Sequence, residues 1–582
     1  MRTGLWRAVV ITGAISLVAA ACAPAATPPG ASPAATAAGA SPAASPAAAQ
    51  PVKGGRIVVG SFVDIQRLNP STSNDTGSSA VSGKIYDSLI FADPKTAEVK
   101  PWLGSWTVSS DGLTFSWTID PKANWSDGKP ITGNDFLLRV KMQGRSKVTP
   151  NKSVFNDIEG YQDYSTGKAT SISGIKVDSA DPKKFTVKFT RVFCPAMTNV
   201  FGSAPMPEHI FGKYIVDADA TKNSDEAPEN NNPPVASGPF KFKEWRKGDQ
   251  TILVKNPTYF KGEPYIDELV YKVVADTNVL AAQLKTGELS VGKITATDVA
   301  GFQGEDRLKM YKWQANSYTY IGWRGNNPNV AFLQDKRVRQ ALAYGIDTAA
   351  VVQSVLLGEG AKMIQHHPNV SWAAAPEKDL QAYAYNKTKA EELITAAGYK
   401  KGTDGVFAKD GKPLAITIVT NQGNKLRETF LQVATEQYKQ IGVKINPKVE
   451  AFESLVPKLT GGSPEIEAVI IGWSLSVDPD PFTIWHSSNV ASPTKAGNNF
   501  VGYSNPDVDK LIEQGRNGPD CSQAARQKTY QSLNKILNED QPYMFGYSPK
   551  EIMVADGRIQ GVDPGTFNLE GLWNIDKWWI KK

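Results

Sequence analysis

Residues 414–445, LAITIVTNQGNKLRETFLQVATEQYKQIGVKI, read as a strand, a helix and a second strand in succession. Leu414 to Val419 is dense in β-branched residues, which suit a pleated and half-buried surface. A helix is expected over about Lys425 to Gln440, stopping before Gly442, and Val443 to Ile445 resumes a strand. Two strands joined through a helix call for a crossover, hence for an α/β region with a partly parallel sheet.

The alternation continues outward from there, over about 330 to 475. Val338, Ala341, Leu342 and Gly345 recur at i, i+3, i+4 and i+7, one apolar helical face. Further helices open near Asp347, with Gly358 at the C′ position, and over Lys389 to Ala397 before Gly398; Ala468 to Ile471 is another strand. Towards the N-terminus the pattern turns to hairpins. Trp106–Val108 and Leu113–Ile119 flank Ser109–Gly112, Ile175–Val177 pairs with Phe185–Phe189 around Asp181-Pro182, and Phe240–Phe242 pairs with Ile252–Val254. Thr132-Gly133-Asn134-Asp135 has capping-box spacing and opens a helix through Leu138 and Val140.

The 582 residues are 41% hydrophobic and 21% charged, which excludes a mainly disordered chain and predicts two to four domains. Lys plus Arg minus Asp plus Glu is 64 − 58 = +6, spread without a basic block, so a nucleic-acid partner is not expected. No G-x-S-x-G elbow, H-E-x-x-H or C-x-x-C occurs, and no carboxylate pair stands out, so neither an enzyme nor a metal or cofactor is expected. His366-His367 reads as a surface or pocket loop. Cys194 and Cys521 read as two independent thiols, because sequence supplies no separation between them in space.

Arg2 and Arg7 precede an uncharged stretch, Ala8 to Ala21, that is too short to span a bilayer and ends in Ala-Ala-Ala-Cys22. This resembles a bacterial lipoprotein signal over 1–21, which makes Cys22 the lipidated first residue and anchors the protein on the extracytoplasmic face of the membrane. Residues 23–50 hold only small residues, prolines and one glutamine, a tether unable to bury a core.

Gly54-Gly55-Arg56-Ile57-Val58-Val59-Gly60, Leu68-Asn69-Pro70 and Ile85-Tyr86-Asp87-Ser88-Leu89 carry a family resemblance. So do Trp125–Thr132, Ser237-Gly238-Pro239-Phe240, Asn256–Phe260, Gly472-Trp473 to Pro481, and Gly497–Tyr503 with Asn505-Pro506. In this order the segments resemble the family 5 extracellular solute-binding proteins, the peptide, dipeptide and nickel receptors of ABC importers. The resemblance implies an α/β, two-lobed periplasmic-binding-protein-like (type II) clamp of three domains with the ligand cleft at the hinge. Domain I would comprise 51–92, 235–315 and 546–582, domain II 93–234, and domain III 316–545. The implied protein is a monomer that hands a small peptide to the transmembrane subunits of an ABC permease. An oligosaccharide is the alternative ligand, and a secreted hydrolase is the alternative from another class.

In peptide-binding members an aspartate three residues after the tryptophan matching Trp473 pairs with the peptide's α-amino group; here that position is Ser476, and Asp478 is the candidate to replace it. Trp323, Trp372, Trp473 and Trp485 fall in segments that approach the cleft in relatives. Tyr318 to Arg324 reads as the strand entering domain III, with Arg324 available to a ligand carboxylate. Asn74 and Thr76 lie in the polar loop through which domain I of relatives touches ligand.

Overall fold

The computed structural model describes residues 50–73, 75–149, 152–568 and 570–582. The signal, Cys22, nearly all of the tether and Asn74 lie outside them.

Residues 414–445 fold as the sequence pattern requires. Strand Ala415–Asn421, helix Lys425–Gln440 and strand Lys444–Glu450 follow one another, and the two strands pair in parallel with Ala415 opposite Lys444. The Asn424 side chain accepts from the Arg427 backbone N–H and starts the helix. Phe430, Leu431, Ala434 and Tyr438 form its buried side. Beyond its end Gly442 takes φ +73°, where an added Cβ would lie 2.8 Å from both the Gly405 carbonyl and the Phe407 ring. Gly442→Ala is therefore expected to cost about 1–3 kcal/mol of stability. Denaturant titration checks this, and an unshifted midpoint would contradict it.

These strands belong to one large sheet of order 444–450, 415–421, 468–474, 317–323, 543–556, 291–294, 56–61, 268–273, 250–255, 240–246; strands 308–314 and 360–362 also pair with 543–556. Strand Tyr543–Asp556 holds the two halves together. Its first part pairs with Ser317–Trp323 and its last part with Leu308–Gln314 and Val291–Ile294. It is buried at both ends and half-buried at Pro549, Lys550 and Glu551 between them. That dip marks a passage between separate cores. Ile57, Trp117, Phe240, Trp313 and Met553 belong to one core, whereas Ile321, Val338, Phe430 and Tyr547 belong to another, with Tyr320, Trp485 and Leu537 on the opposite face of the same sheet. The chain leaves the first core between Trp313 and Tyr318 and returns after Tyr547. Glu359 braces the passage, pairing with Lys312 and, at 3.2 Å, with Lys550.

The first two expected hairpins form a separate four-stranded sheet of order 104–108, 114–119, 184–188, 175–177, the third pairs 240–246 with 250–255 at the edge of the large sheet, and the capping box starts helix Gly133–Arg145. Next to Tyr86 of the first core, Asp87 is half-buried against Tyr259, whose hydroxyl donates to it at 2.8 Å. Loss of hydration raises the Asp87 carboxyl to about 7. The folded state thus holds this proton more tightly than the unfolded chain, so the contribution is full below about pH 4 and lost as pH rises through 7. Relative to Asp87→Asn, the wild-type protein is expected to gain about 1–3 kcal/mol between pH 7 and pH 4. Parallel denaturation curves at the two pH values test the sign.

Two expectations are corrected. Cys194 and Cys521 are joined in a disulfide across 327 residues of sequence; tertiary packing brings the thiols together, a proximity that spacing could not express. His366 and His367 are not in a surface loop but are buried at 1% and 0% exposure. The Tyr318 hydroxyl lies 2.8 Å from His366 Nδ1, and the Pro479 carbonyl 2.9 Å from His367 Nε2. Burial pushes both imidazoles down, His367 to about 4, so they sit neutral in the core.

Candidate functional site

In open α/β sheets, ligands bind beyond the carboxyl ends of the strands. Two hollows occupy such positions beside strand Tyr543–Asp556, one in each half.

The first, about 170 Å³, lies where strand Ala468–Ser474 ends. Ser317, Tyr318 and Thr319, then Trp473 and Ser474, and Tyr547 with Pro549 line it, and the start of helix Lys425–Gln440 closes it with Asn424, Leu426 and Arg427. Arg427 Nη1 donates to Asn421 Oδ1 at 2.8 Å. Among the described residues no carboxylate forms a salt bridge with this guanidinium, and burial lowers its pKa. Gly472 leaves it room, because a Cβ there would lie 3.0 Å from Nη2 and 2.8 Å from the Tyr318 carbonyl. A half-buried cation without an acid, in a cavity and at a helix N-terminus, is an anion acceptor.

The second hollow, about 270 Å³, lies where strand Arg56–Ser61 ends, and its walls are mainly apolar. Phe62 and Val63 stand 38% and 51% exposed at its rim, with Thr76, Tyr271, Met553 and Leu572 around it. Its acid is Glu570, raised by burial and countered by Lys84 and Lys293. Two larger hollows, about 300 and 430 Å³, lie among 323–542 and among 66–247, away from the passage.

Of the residues singled out by sequence, two line these hollows. Trp473 lines the first hollow and Thr76 the second. Ser476 is exposed, and its carbonyl accepts from Asn316 Nδ2 at 3.1 Å, pinning its loop to the passage.

The others are engaged by contacts within the protein. Asp478 does not present a free carboxylate: its two oxygens accept from Arg526 Nη1 and Nη2 at 2.7 and 2.6 Å, with both side chains buried. Arg324 is turned inward and donates to the Ser463 and Gly462 carbonyls. Trp323 packs edge-on to Tyr438 and Trp485 lies against Tyr543, both in the core. Trp372 packs against Tyr530, with the Arg526 guanidinium 5.5 Å from its ring. The reason is common to the strand residues. Strand Ser317–Trp323 is central and Tyr318 to Trp323 are buried, so only its Ser317–Thr319 end borders the first hollow, while Trp323 packs into the core. Arg427 was missed, though its signal was present: an arginine in the first turn of a helix that follows a strand's carboxyl end.

Two α/β halves joined by a shared strand, with a hollow at the strand ends of each half, form the architecture of a solute-binding receptor. The description "Bacterial extracellular solute-binding proteins, family 5 Middle" matches residues 98–493, and the chain belongs to this family. It is 33% identical to the oligopeptide-binding protein AppA of Bacillus subtilis over 532 residues, 91% of this chain and 92% of that one. Protein XP55 of Streptomyces lividans is 26% identical, covering 85% and 83%. The structure of AppA from Bacillus subtilis in complex with a nonapeptide superposes with a TM-score of 0.75 at 31% identity, covering 92% of this chain and 100% of that one. NikZ from Campylobacter jejuni in complex with Ni(L-His) shares the fold, with a TM-score of 0.75 at 24% identity over 90% and 99% of the two chains. Among the described residues no helix is long and apolar enough to cross a membrane.

Proposed function

We propose that this protein is the receptor of an ABC importer that captures a peptide or peptide-like solute between its two halves, anchored by a solute carboxylate on Arg427. Arg427 carries this reading: it is a cation without an acid, in a hollow beside the hinge. The similarity to peptide-binding relatives supports the ligand class. Thr76, Phe62 and Val63 would meet apolar side chains of the solute from the other wall, and Trp473 and Ser476 would border it. With Asp478 held by Arg526, the ligand's amino group has no ion-pair partner at the Trp473 loop, so the carboxylate end sets the register. Trp473 is itself engaged, stacking on Phe500 at 5.1 Å and on Tyr320 at 6.4 Å, which leaves its ring faces covered against an oligosaccharide. We place the domain boundaries at 92, 234, 315 and 545, and the anchor at Cys22, which would hold a monomeric, non-catalytic receptor near its permease.

Native mass spectrometry of the purified protein, followed by denaturing release, tests the ligand class. A ladder of peptide masses is expected. Hexose-spaced masses would overturn the peptide assignment, and turnover of released peptides would overturn the receptor reading.

A further inference from the structure

The disulfide joins two segments that belong to different halves of the clamp. Phe193 and Ala196, flanking Cys194, are part of the core around Trp117 and Phe240. Cys521 lies between helices Pro506–Asn517 and Gln523–Asp540, whose Val508, Ile512, Leu533 and Leu537 belong to the core around Tyr320 and Trp485. Other contacts gather at the same place. The Cys194 N–H donates to the Arg516 carbonyl at 2.8 Å, and Arg191 reaches Glu513 at 3.8 Å. The Arg516 guanidinium lies 4.9 Å from the Phe193 ring and 4.0 Å from the Phe482 ring, one ring from each half.

We propose that the Cys194–Cys521 bridge is a covalent latch between the lobes, opened by thiol–disulfide exchange with a dithiol reductant. Two neighbouring strands form the hinge, near 314–317 and 547–550. A third covalent point outside the sheet restricts rotation about that hinge, so the oxidised protein stays near the lobe arrangement described here and opens less widely than the reduced one. This goes beyond the peptide reading and holds for any cleft ligand. An extracytoplasmic protein meets the oxidising conditions in which such a bridge persists.

The chemistry is balanced. Cys521 is exposed and Cys194 partly covered, so a thiolate of the dithiol attacks Cys521 Sγ. The bridge breaks, a mixed disulfide forms, and Cys194 leaves as a thiolate that takes a proton. The second thiol of the reductant then attacks the mixed disulfide and releases Cys521. Two electrons and two protons pass to the protein, and the reductant becomes a disulfide.

The test uses the purified protein before and after dithiothreitol, followed by small-angle scattering and by hydrogen exchange at 191–196 and 513–520. Reduction is expected to enlarge the radius of gyration and to speed exchange in both segments about tenfold or more. The variant Cys194→Ser/Cys521→Ser is expected to match the reduced protein and to ignore dithiothreitol. Non-reducing peptide mapping that finds both thiols free overturns the proposal, and so does an unchanged radius and exchange on reduction. If the double variant does not fold, the reduction experiment on the unaltered protein still decides. None of these readouts depends on ligand identity, so a failure here is distinct from a failure of the peptide reading.

Discussion

Replacing Arg427 by alanine is expected to weaken solute binding about 30- to 1,000-fold, the loss that follows when one partner of a desolvated, charge-assisted pair is removed. Stability should hold or rise slightly, because the guanidinium is desolvated in the free protein without an acid to compensate it. Arg427→Lys keeps the charge but not the planar fork, so an intermediate loss is expected. Calorimetric titration with a peptide recovered from the native protein measures this. The sharper comparison uses the same peptide with its carboxyl terminus amidated. It should bind the unaltered protein weakly, and it should bind Arg427→Ala no worse than the free acid does. If amidation weakens binding equally in both proteins, the carboxylate lies elsewhere.

The second large effect concerns stability. Asp478 and Arg526 are 7% and 6% exposed and make two parallel hydrogen bonds, while Arg526 Nε donates to the Gly515 carbonyl at 2.9 Å. Asp478→Ala leaves that guanidinium buried beside Tyr530 and Trp372 without its counter-charge, at an expected cost of about 3–5 kcal/mol. Asp478→Leu combined with Arg526→Met should recover most of the loss, because a buried ion pair contributes little over a well-packed apolar pair. Denaturant midpoints of the single and double variants check both statements. Solute affinity, measured where Asp478→Ala remains folded, is expected to change little. A large affinity loss at unchanged stability would return Asp478 to the ligand site.

The contrast between these residues shows what was legible beforehand. The unit 414–445 was readable because its evidence is local: β-branched runs, helical periodicity and a stop at Gly442 act on their own neighbours. The hairpin around Ser109–Gly112 and the capping box at Thr132 were readable for the same reason. Arg324 and Trp485 were not. Both were expected to reach the cleft, yet which way a side chain turns depends on what covers the strand or helix. The central position of Ser317–Trp323 in the sheet turned its residues into core. Asp478 is the same case seen through charge. An acid in an Asp-Pro-Asp-Pro loop is equally suited to a ligand or to a partner, and Arg526, 48 residues away, decided between them.

The sequence by itself determined the α/β class, the family and the order of elements, since hydrophobic periodicity, turn chemistry and motif order are properties of neighbouring residues. Tertiary structure alone decided which acid is paired, which tryptophans are core and which cysteines meet. Arg427 is proposed as an anion site because the described residues around it supply a carbonyl edge, an aromatic wall and no ion-pairing carboxylate. Cys194 becomes a latch only because two cores built from distant stretches of chain place Cys521 against it. Both are facts of proximity between segments far apart in sequence, which local patterns do not encode.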